Sequence, residues 1–154
     1  MKNKFQIFAA FLLVICVMAC SPALVRMYNV QDETIPSGLT LDQVKKAINI
    51  GAAAAGWSTE DLSLGSMEAT YNIRVHTVIV TISYTERAYS IDYKKSYEMK
   101  VYCTDEDKEQ KRSIKVTDGG GACPGVKQPA YIHPKYQEWI EALNRGIHGA
   151  LENI

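Results

Sequence analysis

An α+β domain is the fold class that the sequence predicts: a three-stranded antiparallel meander with an N-terminal and a C-terminal helix packed on one face, in the order helix, strand, strand, strand, helix. Three observations predict it. Apolar residues recur at helical spacing near each end of the chain; residues 67–84 and 89–101 alternate between apolar and polar; and the alternation changes phase near residue 75. The 154 residues make one domain's worth of chain, and 47% hydrophobic with 22% charged residues is an ordinary globular composition.

The first helix is expected to open at Leu39-Thr40. Thr40 can cap the free N–H groups, Gln43 can reach back to complete a capping box, and Leu39 and Val44 can close a hydrophobic staple. Leu41, Val44, Ile48 and Ala52 or Ala55 then lie opposite Asp42, Lys45, Lys46 and Asn49, and Gly56 supplies a stop. In the next stretch Met67, Ala69, Tyr71 and Ile73 are apolar at odd positions, and Val78, Val80, Ile82 and Tyr84 at even ones. One strand cannot change faces without a bulge, so two strands joined near Arg74-Val75 are expected. The third strand alternates from Tyr89 through Ile91, Tyr93, Tyr97, Met99 and Val101, with Lys95 breaking its apolar face, which suggests a bulge, an edge or a snorkelling stem. The last helix opens at His133-Pro134, and Tyr136, Trp139, Ile140, Leu143, Ile147, Ala150, Leu151 and Ile154 form its stripe.

Ahead of this domain Lys2 and Lys4 precede Ile7 to Cys20, fourteen consecutive residues that are apolar, Ala or Cys. A membrane-spanning helix needs roughly 20 apolar residues, and a run of 10 to 14 is the length of a signal-peptide core. The run ends Val17-Met18-Ala19-Cys20, which resembles the bacterial lipobox: cleavage follows the small Ala19, and the Cys20 thiolate takes the lipid. Residues 1–19 are thus expected to be a signal peptide, 20–38 the lipidated N-terminus and a tether, and 39–154 a single domain. Leu24, Val25, Met27 and Tyr28 could instead dock as an edge strand. In the resembled class an aspartate after the cysteine retains the protein in the inner membrane. Ser21 stands there, so the expectation is the outer membrane, facing the periplasm.

Loss of residues 1–19 turns 17 basic against 17 acidic residues into 15 against 17. A formal charge of −2 offers no basic footprint for nucleic acid. Cys103 and Cys123 bracket much of a charged, then Gly-rich insertion at 104–130, and in an oxidising compartment they are expected to form a disulfide. Two sulfurs without a clustered histidine make a poor zinc site, so no metal and no cofactor is expected. There is no G-x-S-x-G, H-E-x-x-H or P-loop, and Gly119-Gly120-Gly121 lacks the lysine and helix of a phosphate cradle, so no catalytic residue is assigned.

Candidate ligand or partner contacts are Arg74, His76, Tyr136 and Trp139. Arg74 and His76 share the parity of Val78 and Val80, which brings His76 near the helix-covered face. A structural histidine held by a tyrosine or a carbonyl is the simpler reading of His76, and core packing that of the tyrosines. RVHTVIVTISY (74–84), YSIDYKKSYEM (89–99) and IHPKYQEWIEALNRGI (132–147) together resemble a family of small, largely uncharacterised proteobacterial lipoproteins. The resemblance implies an envelope location and a hairpin near Arg74; it carries no activity to any residue, and the family's link before the last helix is shorter. The function expected is a non-enzymatic module that contacts another envelope protein, with a periplasmic binder of a small ligand or glycan as the alternative.

Overall fold

The computed structural model describes residues 24–103, 114–116 and 131–154. Among these residues, nine strands and two helices follow in the order β1 (Val25–Arg26), β2 (Val30–Thr34), α1 (Leu41–Ala54), β3 (Ser58–Ser63), β4 (Ser66–Ile73), β5 (His76–Tyr84), β6 (Ala88–Tyr97), β7 (Val101–Cys103), β8 (Ile114–Val116), β9 (Tyr131–Ile132) and α2 (Lys135–Leu151). The three-stranded meander is therefore corrected. The main sheet has five antiparallel strands in the order β2-β6-β5-β4-β3, and a second sheet runs β1-β9-β7-β8.

Local chemistry explains where the elements begin and turn. Thr40 Oγ1 accepts the Gln43 amide at 3.3 Å and Gln43 Oε1 accepts the Thr40 amide at 2.9 Å, a complete capping box that starts α1. Gly56 takes φ +83° just after the helix, a conformation open to glycine at little cost. The β4–β5 hairpin turns at Arg74 and Val75, with Ile73 opposite His76. A positive φ in a two-residue turn matches the twist of the strands, and Arg74 adopts it at φ 54° without being glycine or asparagine. This is why the turn leaves no compositional mark.

The third predicted strand is also corrected. The register with β5 skips Lys94, since Ile79 faces Lys95 and Val80 faces Tyr93, so Lys94 is a bulge. One extra residue inverts the parity beyond it: Ser96 turns inward and is buried, its hydroxyl 2.9 Å from that of Tyr93, while Tyr97 turns out. Glu98 then takes φ 53° and breaks the strand, and the buried Met99 and Val101 lead into the second sheet.

Two strands also arise within 20–38, the stretch expected to be a tether. β1 pairs with β9, and β2 pairs with β6 through Val30 opposite Ile91 and Thr34 opposite Ala88. Val30 and Ile35 are buried, and they join one core with residues of both helices and of β4 to β7 and β9. α1 and α2 cross where Gly51 meets Gly146; a Cβ on either would stand about 2.5 Å from the other's backbone. The outer face of the main sheet is polar, with Lys94 paired to Glu68 at 2.5 Å. Among the described residues, no helix is long and apolar enough to cross a membrane.

Candidate functional site

Strands β4 and β5 give the main sheet two ends about 25 Å apart, eight residues at roughly 3.3 Å each. Three of the four candidate contact residues gather at the Arg74 end. Arg74 is exposed on the turn, and His76 opens β5 with Nδ1 2.7 Å from the Glu98 carbonyl oxygen. A carbonyl can only accept, so Nδ1 carries the proton and Nε2 is the ring's free acceptor when neutral. The Trp139 ring lies 6.4 Å from that of His76 and 5.2 Å from that of Tyr71, which in turn lies 5.1 Å from Trp57. A row of four rings thus runs from Trp57, just before β3, across β4 to α2 and β5. Trp57 Nε1 is buried with no hydrogen-bond partner among the described residues.

Tyr136, the fourth candidate, sits elsewhere. It is fully buried one turn before Trp139, edge-on to Tyr93 at 5.7 Å, with its hydroxyl donating to Asn29 Oδ1 at 3.5 Å. Burial pushes the Tyr136 hydroxyl well above the usual phenol range, and that of Tyr93 up as well. Neither is poised to titrate, and Tyr136 is sealed away from a solvent ligand. Asn29 also accepts the Tyr93 amide at 3.1 Å, so this cluster fastens the N-terminal segment to β6 and α2. It is structural.

Around the Arg74 end stand Lys100, His133 and Lys135. His133 Nδ1 accepts the Lys135 amide at 3.2 Å at the start of α2. Burial, with His76, Lys100 and Lys135 nearby, holds the His133 imidazole below its ordinary pKa, opposed by Glu138. Glu138 pairs with Lys135 at 2.6 Å.

The other end carries features that the sequence reading missed. An open groove of about 520 Å³ is lined by Leu41, Leu64, Gly65, Tyr84 and Thr85 to Arg87. Beside it a smaller one of about 220 Å³ is bordered by Asp42 and by the Lys45–Asp61 ion pair of 2.5 Å. Bonding to Asp61 raises the pKa of Lys45, and burial raises that of the Tyr84 hydroxyl. Gly65, at φ +74°, lets the β3–β4 turn approach so closely that a Cβ would stand 2.8 Å from the Tyr84 carbonyl. Leu64, at the tip of this turn, is 90% exposed, and Leu62 is half exposed. The sequence signal was Leu62-Ser63-Leu64-Gly65, one leucine near the end of β3 and a second in the turn itself.

Cys103 ends β7 opposite Ile114; Cys20 and Cys123 lie outside the described residues, as does most of the 104–130 insertion. No group of three or more His, Cys, Asp or Glu side chains placed to hold a metal occurs among the described residues. No family model, no curated protein and no solved structure matches this chain.

Proposed function

We propose that this chain is a lipid-anchored lipoprotein of the bacterial cell envelope, facing the periplasm from the outer membrane, and that its domain is a non-enzymatic module for contact with another envelope protein. One observation carries the anchor: a charged start, fourteen apolar, Ala or Cys residues and Val17-Met18-Ala19-Cys20 coincide in one place. Two or three acyl chains on Cys20 would hold the protein stably, where a single chain holds only marginally. The resemblance of 74–84, 89–99 and 132–147 to small proteobacterial lipoproteins points to the same compartment.

Support for the partner comes from the Leu64 end. Exposed leucines beside a groove favour association, because covering them removes apolar surface from water. The glycan-pocket alternative loses Tyr136 to the core and keeps only Arg74, His76 and Trp139. A Cys20→Ser chain should accumulate uncleaved and take up no radioactive palmitate in cells. In parallel, crosslinking in intact cells should recover one stoichiometric envelope protein with the wild type and much less with a Leu62→Ser, Leu64→Ser variant. Normal processing and labelling of Cys20→Ser would sink the anchor, and equal recovery would sink the leucine contact.

A further inference from the structure

If Cys20 carries lipid, only residues 21–24 separate it from β1. Five residue steps of extended chain span at most about 18 Å. The surface beside β1 is therefore kept within about 18 Å of the anchor, and its chemistry follows from the register of the second sheet. Arg26, Tyr131 and Tyr102 form one row across β1, β9 and β7. Their neighbours Ile132 and Val101 turn into the core, so this row turns outward; Arg26 is exposed and Tyr131 is 40% exposed. One pairing step further, the same parity places Lys100 beside His133 at the edge where the chain enters from residue 24, and Lys100 and His133 are close enough to interact electrostatically.

Resting on the lipid-anchor reading, we infer that the outer face of the second sheet, formed by Arg26, Lys100, Tyr102, Tyr131 and His133, docks on the anionic lipid headgroups of the membrane that holds Cys20. None of these five residues is acidic. Among the described residues, acids near this end are Glu98, next to Lys100 in sequence beyond Met99, and Glu138, which is paired with Lys135. Tyrosine suits the headgroup layer because its ring is apolar and its hydroxyl stays wet. Lysine and arginine gain from an anionic surface within about a Debye length, a distance the short linker permits. The domain would then lie with its Arg74 end toward the membrane and the Leu64 turn pointing away, free to meet a partner.

Purified lipidated protein in vesicles of phosphatidylethanolamine, with or without about a third phosphatidylglycerol, tests this by lysine acetylation with a water-soluble reagent read by mass spectrometry. Lys100 should be protected roughly five-fold on the anionic vesicles, the gain expected for one cation at such a surface. Lys46, exposed on α1, should react equally on both. High salt should abolish the protection, and Arg26→Glu should reduce it. Equal labelling of Lys100 on both vesicles, in protein whose intact mass includes the acyl chains, overturns the docking alone. Protection that follows protein concentration rather than lipid charge assigns the face to a second copy and overturns it too. An intact mass without acyl chains overturns the anchor, and the docking with it.

Discussion

His133 illustrates how one residue ties position to pH. Its Nδ1 accepts the Lys135 amide, so protonation removes a helix-capping acceptor and adds charge where burial, His76, Lys100 and Lys135 already disfavour it. The folded chain thus binds this proton less readily than the unfolded chain, whose histidine titrates near 6.5. Its contribution to stability is complete above that value and is lost as the pH falls below it toward the lowered folded pKa. Urea unfolding at neutral and mildly acid pH should show stability falling in the wild type and falling less in His133→Asn, which keeps an acceptor and cannot titrate. An unchanged slope in the variant would remove His133 as the cause. At Cys103 and Cys123 the expectation is covalent: a disulfide closing a loop of about 20 residues, worth roughly 3 kcal/mol by loop entropy. Mass spectrometry of the non-reduced mature protein should find the pair bridged, and two free thiols would refute the pairing.

Between elements, α1 and α2 cross at close quarters. Gly51 and Gly146 bring two helix backbones together, and a Cβ at Gly146 would stand 2.5 Å from the Gly51 carbonyl oxygen. Gly146→Ala should therefore destabilise by about 1–3 kcal/mol, an overpacking cost that outweighs the better helix propensity of alanine. Gly149, in the same helix, has nothing within 4 Å of its missing Cβ, so Gly149→Ala should stabilise by roughly 0.5–1 kcal/mol. Thermal melts of the two variants should move in opposite directions; movement in the same direction would show that the crossing is not tight. Both helices were legible because their apolar stripes are local, as is the capping box of α1, although α2 ends at Leu151 and leaves Ile154 beyond it, exposed. The Lys94 bulge was not, since the single misplaced Lys95 in an otherwise clean alternation fits a bulge, an edge or a snorkelling stem equally well. β3 was illegible for a different reason. As an edge strand of Ser-Thr-Glu-Asp-Leu-Ser it has almost no apolar face to reveal, and its charges are the kind that keep a sheet edge from pairing with strangers.

Across the whole molecule, the first strands decide how far the domain extends. The stretch 20–38 shows no period because β1 is two residues long and the register of β2 shifts between Val30 and Glu33, where Asp32 takes φ 50° and its amide reaches the Ser90 hydroxyl. Sequence alternation cannot survive such interruptions, whereas pairing across sixty residues can. The candidate site was half legible for a related reason: parity placed His76 near the helix-covered face, but the crossing of α2 decided that Trp139 meets it and Tyr136 does not. If 20–38 were only a tether, replacing Ile35 would change nothing. Ile35 is instead buried, its amide donating to the Arg87 carbonyl at 2.8 Å, in the same core that holds both helices. Ile35→Ala should therefore cost about 2–5 kcal/mol, a large part of the 5–15 kcal/mol that domains possess. Because one core spans both sheets, the loss should appear as a single cooperative transition moved to lower urea, with no early phase confined to the N-terminal strands. A midpoint equal to that of the wild type would detach β2 from the domain and return the segment to the role of a stalk.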